Sequence, residues 1–64
     1  MAKQVRYTIF SEWDLGMDMS GYRSISEARE ALLDNPNFQD VMTDNNWSTI
    51  EEVETSGLIS FNRN

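Results

Sequence analysis

The chain has no cysteine and no histidine, and only one proline and three glycines in 64 residues. Without cysteine there is no disulfide framework, no CxxC redox pair and no thiolate to hold a metal. Without histidine the usual general base and the commonest metal ligand are both missing, which excludes zinc sites built from either residue. Long hydrophobic runs are absent too. That leaves no membrane span and no signal-peptide core, and points to a cytoplasmic chain with no membrane partner. Basic residues are also few: Lys3, Arg6, Arg23, Arg29 and Arg63 stand against eleven acids, a net charge of −6. Contact with phosphates needs Lys and Arg, so the molecule's own field opposes direct nucleic-acid binding.

What is present suits one small acidic domain over residues 1–64. Apolar residues make up 39% of the chain, at a length where a hydrophobic core only just suffices. The N-terminal stretch alternates. Val5, Tyr7, Ile9, Trp13, Leu15, Met17 and Met19 are apolar, with Ser11 the one exception among them. Period two predicts half-buried strand. The span is too long for one strand, so it reads as a hairpin, 4–12 and 16–22, folding back between Glu12 and Gly16.

Ser24-Ile25-Ser26-Glu27 is a capping box, in which the serine oxygen accepts from a helical N–H and the glutamate reaches back to the cap. The helix that follows puts Ile25, Ala28 and Leu32 on one face and Glu27, Glu30 and Asp34 on the other. Asn35-Pro36 stops it and starts a second short helix, with asparagine as cap and proline at its first position. Phe38, Val41 and Met42 give that helix its apolar side, and Asp44-Asn45-Asn46 ends it. The C-terminal third has two readings. Ser48-Thr49-Ile50-Glu51 suits a further capping box, with Gly57 closing a third helix. Thr49, Ile50, Val53 and Thr55 are β-branched, however, and Thr55-Ser56-Gly57 suits a hairpin loop. The β-branched content tips the reading towards the hairpin. Leu58-Ile59-Ser60-Phe61 is strand either way.

The expected fold is therefore α+β: a small antiparallel sheet made by the N-terminal hairpin and a C-terminal strand or hairpin, with two short helices packed on one face. The expected core is Val5, Tyr7, Ile9, Ile25, Ala28, Leu32, Phe38, Val41, Ile59 and Phe61.

No constellation for chemistry survives inspection. Asp44-Asn45-Asn46-Trp47-Ser48 starts like a calcium loop, but Thr49 and Thr55 stand where glycine and glutamate are required. A paired-carboxylate mechanism needs a cleft that desolvates one acid and spares the other, which a domain this small rarely encloses. The serines have no histidine to activate them. The expectation is a non-enzymatic protein with no cofactor and no metal.

The acids fall into three clusters: Glu12, Asp14 and Asp18 on the hairpin, Glu27, Glu30 and Asp34 on the helix, and Glu51, Glu52 and Glu54 towards the C-terminus. Carboxylates along a helix repeat every ~4.5–6 Å, the same order as the ~3.4 Å phosphate repeat of one DNA strand. Such an array suits a protein partner with a basic surface, with Trp13 or Trp47 as an apolar anchor if exposed. The bland account is a charged coat that keeps a small protein soluble. Other classes are an adaptor or subunit of a larger assembly, marked by an exposed apolar patch, and a homodimer through an open sheet edge. In size and charge the chain resembles the small acidic domains among virus-encoded inhibitors of bacterial proteins, including anti-CRISPR and DNA-mimic proteins of phage. That resemblance implies an inhibitor that blocks a basic surface of a nucleic-acid-processing protein.

Overall fold

A computed structural model describes residues 5–63. Along the chain run β1 (Tyr7–Ser11), β2 (Ser20–Tyr22), α1 (Ile25–Leu33), α2 (Pro36–Asp44), α3 (Ile50–Ser56) and β3 (Ile59–Arg63). The strands form one antiparallel sheet in the order β2-β1-β3. The α+β architecture is as expected, with one helix more.

That third helix is a correction. Residues 50–56 are helical, not the first arm of a hairpin, and β3 is a lone strand. Three local devices outweigh the β-branched propensity, which is weak and context-dependent. Thr49 is the N-cap and its side chain accepts from the Glu52 N–H, so the capping residue is Thr49 and not Ser48. Glu52 Oε1 in turn accepts from the N–H of Ser48, the residue before the cap, at 3.3 Å, a reciprocal bond displaced by one residue from the capping-box pattern. Gly57, at φ 83° and ψ 0°, then closes the helix in the left-handed conformation. Ile50 and Val53, one turn apart, are buried.

The N-terminal hairpin exists but its second arm is short. Tyr7 pairs with Tyr22 and Thr8 with Ser20, leaving Gly21 at φ 92° as the extra residue of a bulge. Residues 12–19 make a long connection instead of a turn and a strand. The backbone there is held by side chains: the Asp14 carboxylate accepts from the Gly16 N–H at 3.2 Å. The amides of Asn35 and Asn37 both donate to the Leu15 carbonyl at 3.0 Å. Alternation nevertheless persists in the burial of Leu15, Met17 and Met19, so the pattern reported which side chains turn inwards and not a strand.

Both earlier helices begin where their caps place them. Ser24 accepts from the Glu27 N–H and Asn35 from the Phe38 N–H, each at 3.0 Å. The core comprises Ile9, Leu15, Ala28, Leu32, Phe38, Met42, Ile50, Val53 and Ile59. Of the expected core, Tyr7, Ile25, Val41 and Phe61 are only half-buried and Val5 is exposed. Val5 precedes β1, Tyr7 and Ile25 begin their elements, and Phe61 lies on β3, a strand at the edge of the sheet. Leu15, Met42, Ile50 and Val53 take their places. Trp13 and Trp47 meet edge to face, with centroids 6.2 Å apart. Both are half-buried against the core, so neither stands out as a free anchor.

Candidate functional site: an acidic helical layer beside an open sheet edge

Helices α1 and α3 pack on the sheet and α2 packs on α1, and the three carry most of the charge. Residues 24–57 hold Glu27, Glu30, Asp34, Asp40, Asp44, Glu51, Glu52 and Glu54 against the single base Arg29, a charge of −7. All these acids are exposed except Glu54, which is half-buried. Strand pairing does the opposite for the bases. Arg63 lies opposite Tyr7, Arg6 precedes Tyr7, and Arg23 follows Tyr22, the other partner of Tyr7. Three arginines therefore gather at one end of the sheet, and the molecule is electrically polarised.

The nine acids singled out from the sequence divide by what they do locally. Glu27 accepts from the N–H of Arg23, the residue before the cap, at 3.3 Å. Glu52 does the same work for α3. Glu54 takes both Arg29 Nε and Nη2, at 2.8 and 2.9 Å, in a bidentate pair that joins α3 to α1. Those hydrogen bonds hold the Arg29 pKa above its ordinary value, while partial burial works against them. The same guanidinium stands 5.9 Å from the centre of the Phe61 ring. Asp14 and Asp18 sit in the β1–β2 connection, not on a strand face as expected, while Glu12 follows β1 directly. Asp14 is spent on its turn, and the Asp18 carbonyl accepts from the Tyr22 hydroxyl at 2.5 Å. Burial, with Asp18 and Glu27 adding to it, raises the Tyr22 phenol above its ordinary pKa of 10.0.

Glu30, Asp34 and Glu51 make no side-chain hydrogen bond or ion pair among the described residues. Asp40 and Asp44 belong with them and were missed. They lie four residues apart on α2, as Glu30 and Asp34 do along α1 and its cap, a repeat of about 6 Å at helical rise. Their signal was legible: no lysine or arginine occurs between Arg29 and Arg63. The sequence-derived clusters followed runs of acids, and these two are isolated in the chain.

The far face of the sheet is uncovered. Glu12 N–H donates to the Leu58 carbonyl at 3.1 Å, extending the β1–β3 ladder by one pair. Phe10, Glu12, Leu58 and Ser60 thus project away from the helices, with Phe10 53% exposed. They border a shallow concavity of about 240 Å³ with Ser11 and Gly57. No group of three or more metal-ligating side chains occurs among the described residues, and no helix there is long and apolar enough to cross a membrane.

No protein-family model matches the chain, and no curated protein or solved structure does either.

Proposed function

We propose that the protein is a non-enzymatic binding domain that blocks a basic surface on a nucleic-acid-processing protein, in the manner of phage-encoded anti-CRISPR and DNA-mimic inhibitors. The observation behind this reading is the −7 charge of the helical layer, with its one base already neutralised by Glu54. Two acid pairs at four-residue spacing, Glu30/Asp34 and Asp40/Asp44, stand on either side of Asn35, between α1 and α2. A basic groove that receives phosphates attracts such a surface for the same electrostatic reason, and steers its approach.

The test uses the tagged chain as bait in bacterial lysate, eluted with a salt gradient and, separately, with duplex DNA. This reading expects a basic nucleic-acid-processing protein that leaves the bait at moderate salt and is displaced by the DNA. A partner that resists high salt and ignores DNA would sink it.

A second reading, as a subunit of a larger assembly, has exposed Phe10 and Leu58 in its favour. Apolar contact of that kind persists in high salt, so the same gradient separates the two.

A further inference from the structure

We infer that the free edge of β3 is a docking edge for an extended, lysine- or arginine-bearing segment of the partner, which adds as a fourth strand and seats an apolar side chain beside Phe10. The inference rests on the reading of the chain as a binder of a basic protein, and names where on that chain the binding occurs.

Pairing geometry fixes which groups face outwards. In an antiparallel sheet a residue's N–H and C=O point to the same side, and successive residues alternate. Ile9 N–H donates towards β2, to the Met19 carbonyl, while Glu12 N–H donates towards β3, to the Leu58 carbonyl. Thr8, Phe10 and Glu12 therefore bond to their partners Asn62, Ser60 and Leu58. It follows that the N–H and C=O groups of Ile59, Phe61 and Arg63 point away from β1. No backbone partner for them exists among the described residues.

Little in β3 protects this edge. The strand has no proline, no bulge and no charged residue before its last, Arg63, whereas such features are common ways of blunting an edge. By contrast the other edge strand, β2, is three residues long and bulged. An added strand would alternate its side chains between the two faces. On the open face it would meet the concavity floored by the small Ser60 between Phe10 and Leu58, with Glu12 as its one charged lining residue. On the helical face it would meet Phe61 under Arg29 and Glu54, with Glu51 acting on the same guanidinium. Glu12 on the open face and a net charge of −6 call for a cation on the added strand towards the Leu58 end, since Glu54 is already paired with Arg29 and Arg63 charges the other end. A second copy of the chain does not supply one. Its own β3 would offer Leu58, Ser60 and Asn62 to the open face, and no cation to Glu12.

The probe is a capped heptapeptide with one central valine, lysines on its Leu58 side and serines on its Arg63 side, titrated into the isotope-labelled full chain and followed by amide NMR. The valine over Ser60 turns its N–H away from β3, and the residues on either side of it turn theirs towards it. N-methylation of the valine and every second residue from it is therefore tolerated, and N-methylation of the residues between abolishes binding. Amide shifts should centre on Ile59, Phe61 and Arg63, and Phe10→Ser should weaken binding about tenfold, the scale of a lost aromatic contact. Equal effects of the two methylation patterns, or shifts confined to α1 and α2, would overturn the docking edge and leave the acidic-surface reading standing. Dimerisation through β3 in peptide-free solution would overturn it in favour of a second copy. Failure of both this titration and the DNA-displacement experiment would remove the two proposals together.

Discussion

Asn35 offers a sharp probe of how the long β1–β2 connection is held. Its side chain does two things at once: Oδ1 accepts from the Phe38 N–H, and Nδ2 donates to the Leu15 carbonyl, both at 3.0 Å. Ser24 performs only the first of these tasks, at the same distance, one helix earlier. Ser24→Ala therefore measures a cap alone, about 1 kcal/mol. Asn35→Ala removes a cap and a half-buried tether. The second loss adds about 1 kcal/mol, kept at the modest end because Asn37 still donates to the same carbonyl. A total near 2 kcal/mol is a large share of the ~3–10 kcal/mol expected for a domain of 64 residues. Asn35→Asp keeps the capping oxygen and replaces only the donor, so it should fall between parent and alanine variant. Urea unfolding followed by tryptophan fluorescence reads all three, with midpoint shifts of about 1 M per kcal/mol at the slopes usual for small domains. Equal costs for Ser24→Ala and Asn35→Ala would show that the Leu15 tether contributes nothing, and that the connection is held by burial of Leu15 alone.

Thr55 is exposed in the last turn of α3, so Thr55→Ala should stabilise by about 0.5 kcal/mol. A loss of stability in urea would favour the strand reading. A double-mutant cycle with Arg29→Met and Glu54→Gln should give a coupling of at most about 1 kcal/mol. The bidentate geometry is good, but the arginine side chain is 41% exposed and water screens the pair. A coupling that survives molar salt would contradict that account. Tyr22→Phe bears on pH. The folded state raises the phenol pKa, so this contribution is intact below about pH 10, the unfolded value, and lost as pH rises through the folded one. The phenylalanine variant should lose less stability than the parent across that window, and parallel urea curves for the two proteins would refute it.

Much of the fold was legible because its strongest signals are local and stereochemical. The Ser24 box and the Asn35-Pro36 restart each place a helix start by satisfying orphan N–H groups, and both hold in the structure. Residues 48–57 were misread because β-branched propensity was weighed above the capping chemistry of Thr49, Glu52 and Gly57. Propensity reports how a side chain suits a generic surface, whereas a cap answers a specific unpaired group. The alternation of Leu15, Met17 and Met19 was true as a burial pattern and false as a strand. The hydrogen bonds that hold that segment come from Asn35 and Asn37, some 20 residues on, which periodicity does not register. For the candidate surface, acids counted by runs overstated Glu27, Glu52 and Glu54, which cap or pair. The same counting overlooked Asp40 and Asp44. The open β3 edge depends on strand order, a tertiary fact with no local signal.

The central claim is that the acidic helical layer is a binding face and not only a solubilising coat. The most direct test replaces Glu30, Asp34, Asp40 and Asp44 together by lysine, choosing acids whose side chains make no hydrogen bond or ion pair among the described residues. Affinity for the partner captured from lysate is then measured beside the parent, with circular dichroism recorded on both. The account predicts an unchanged spectrum and a loss of several kcal/mol in binding, mostly from like charges brought together. Parent-like affinity in a folded variant would contradict it.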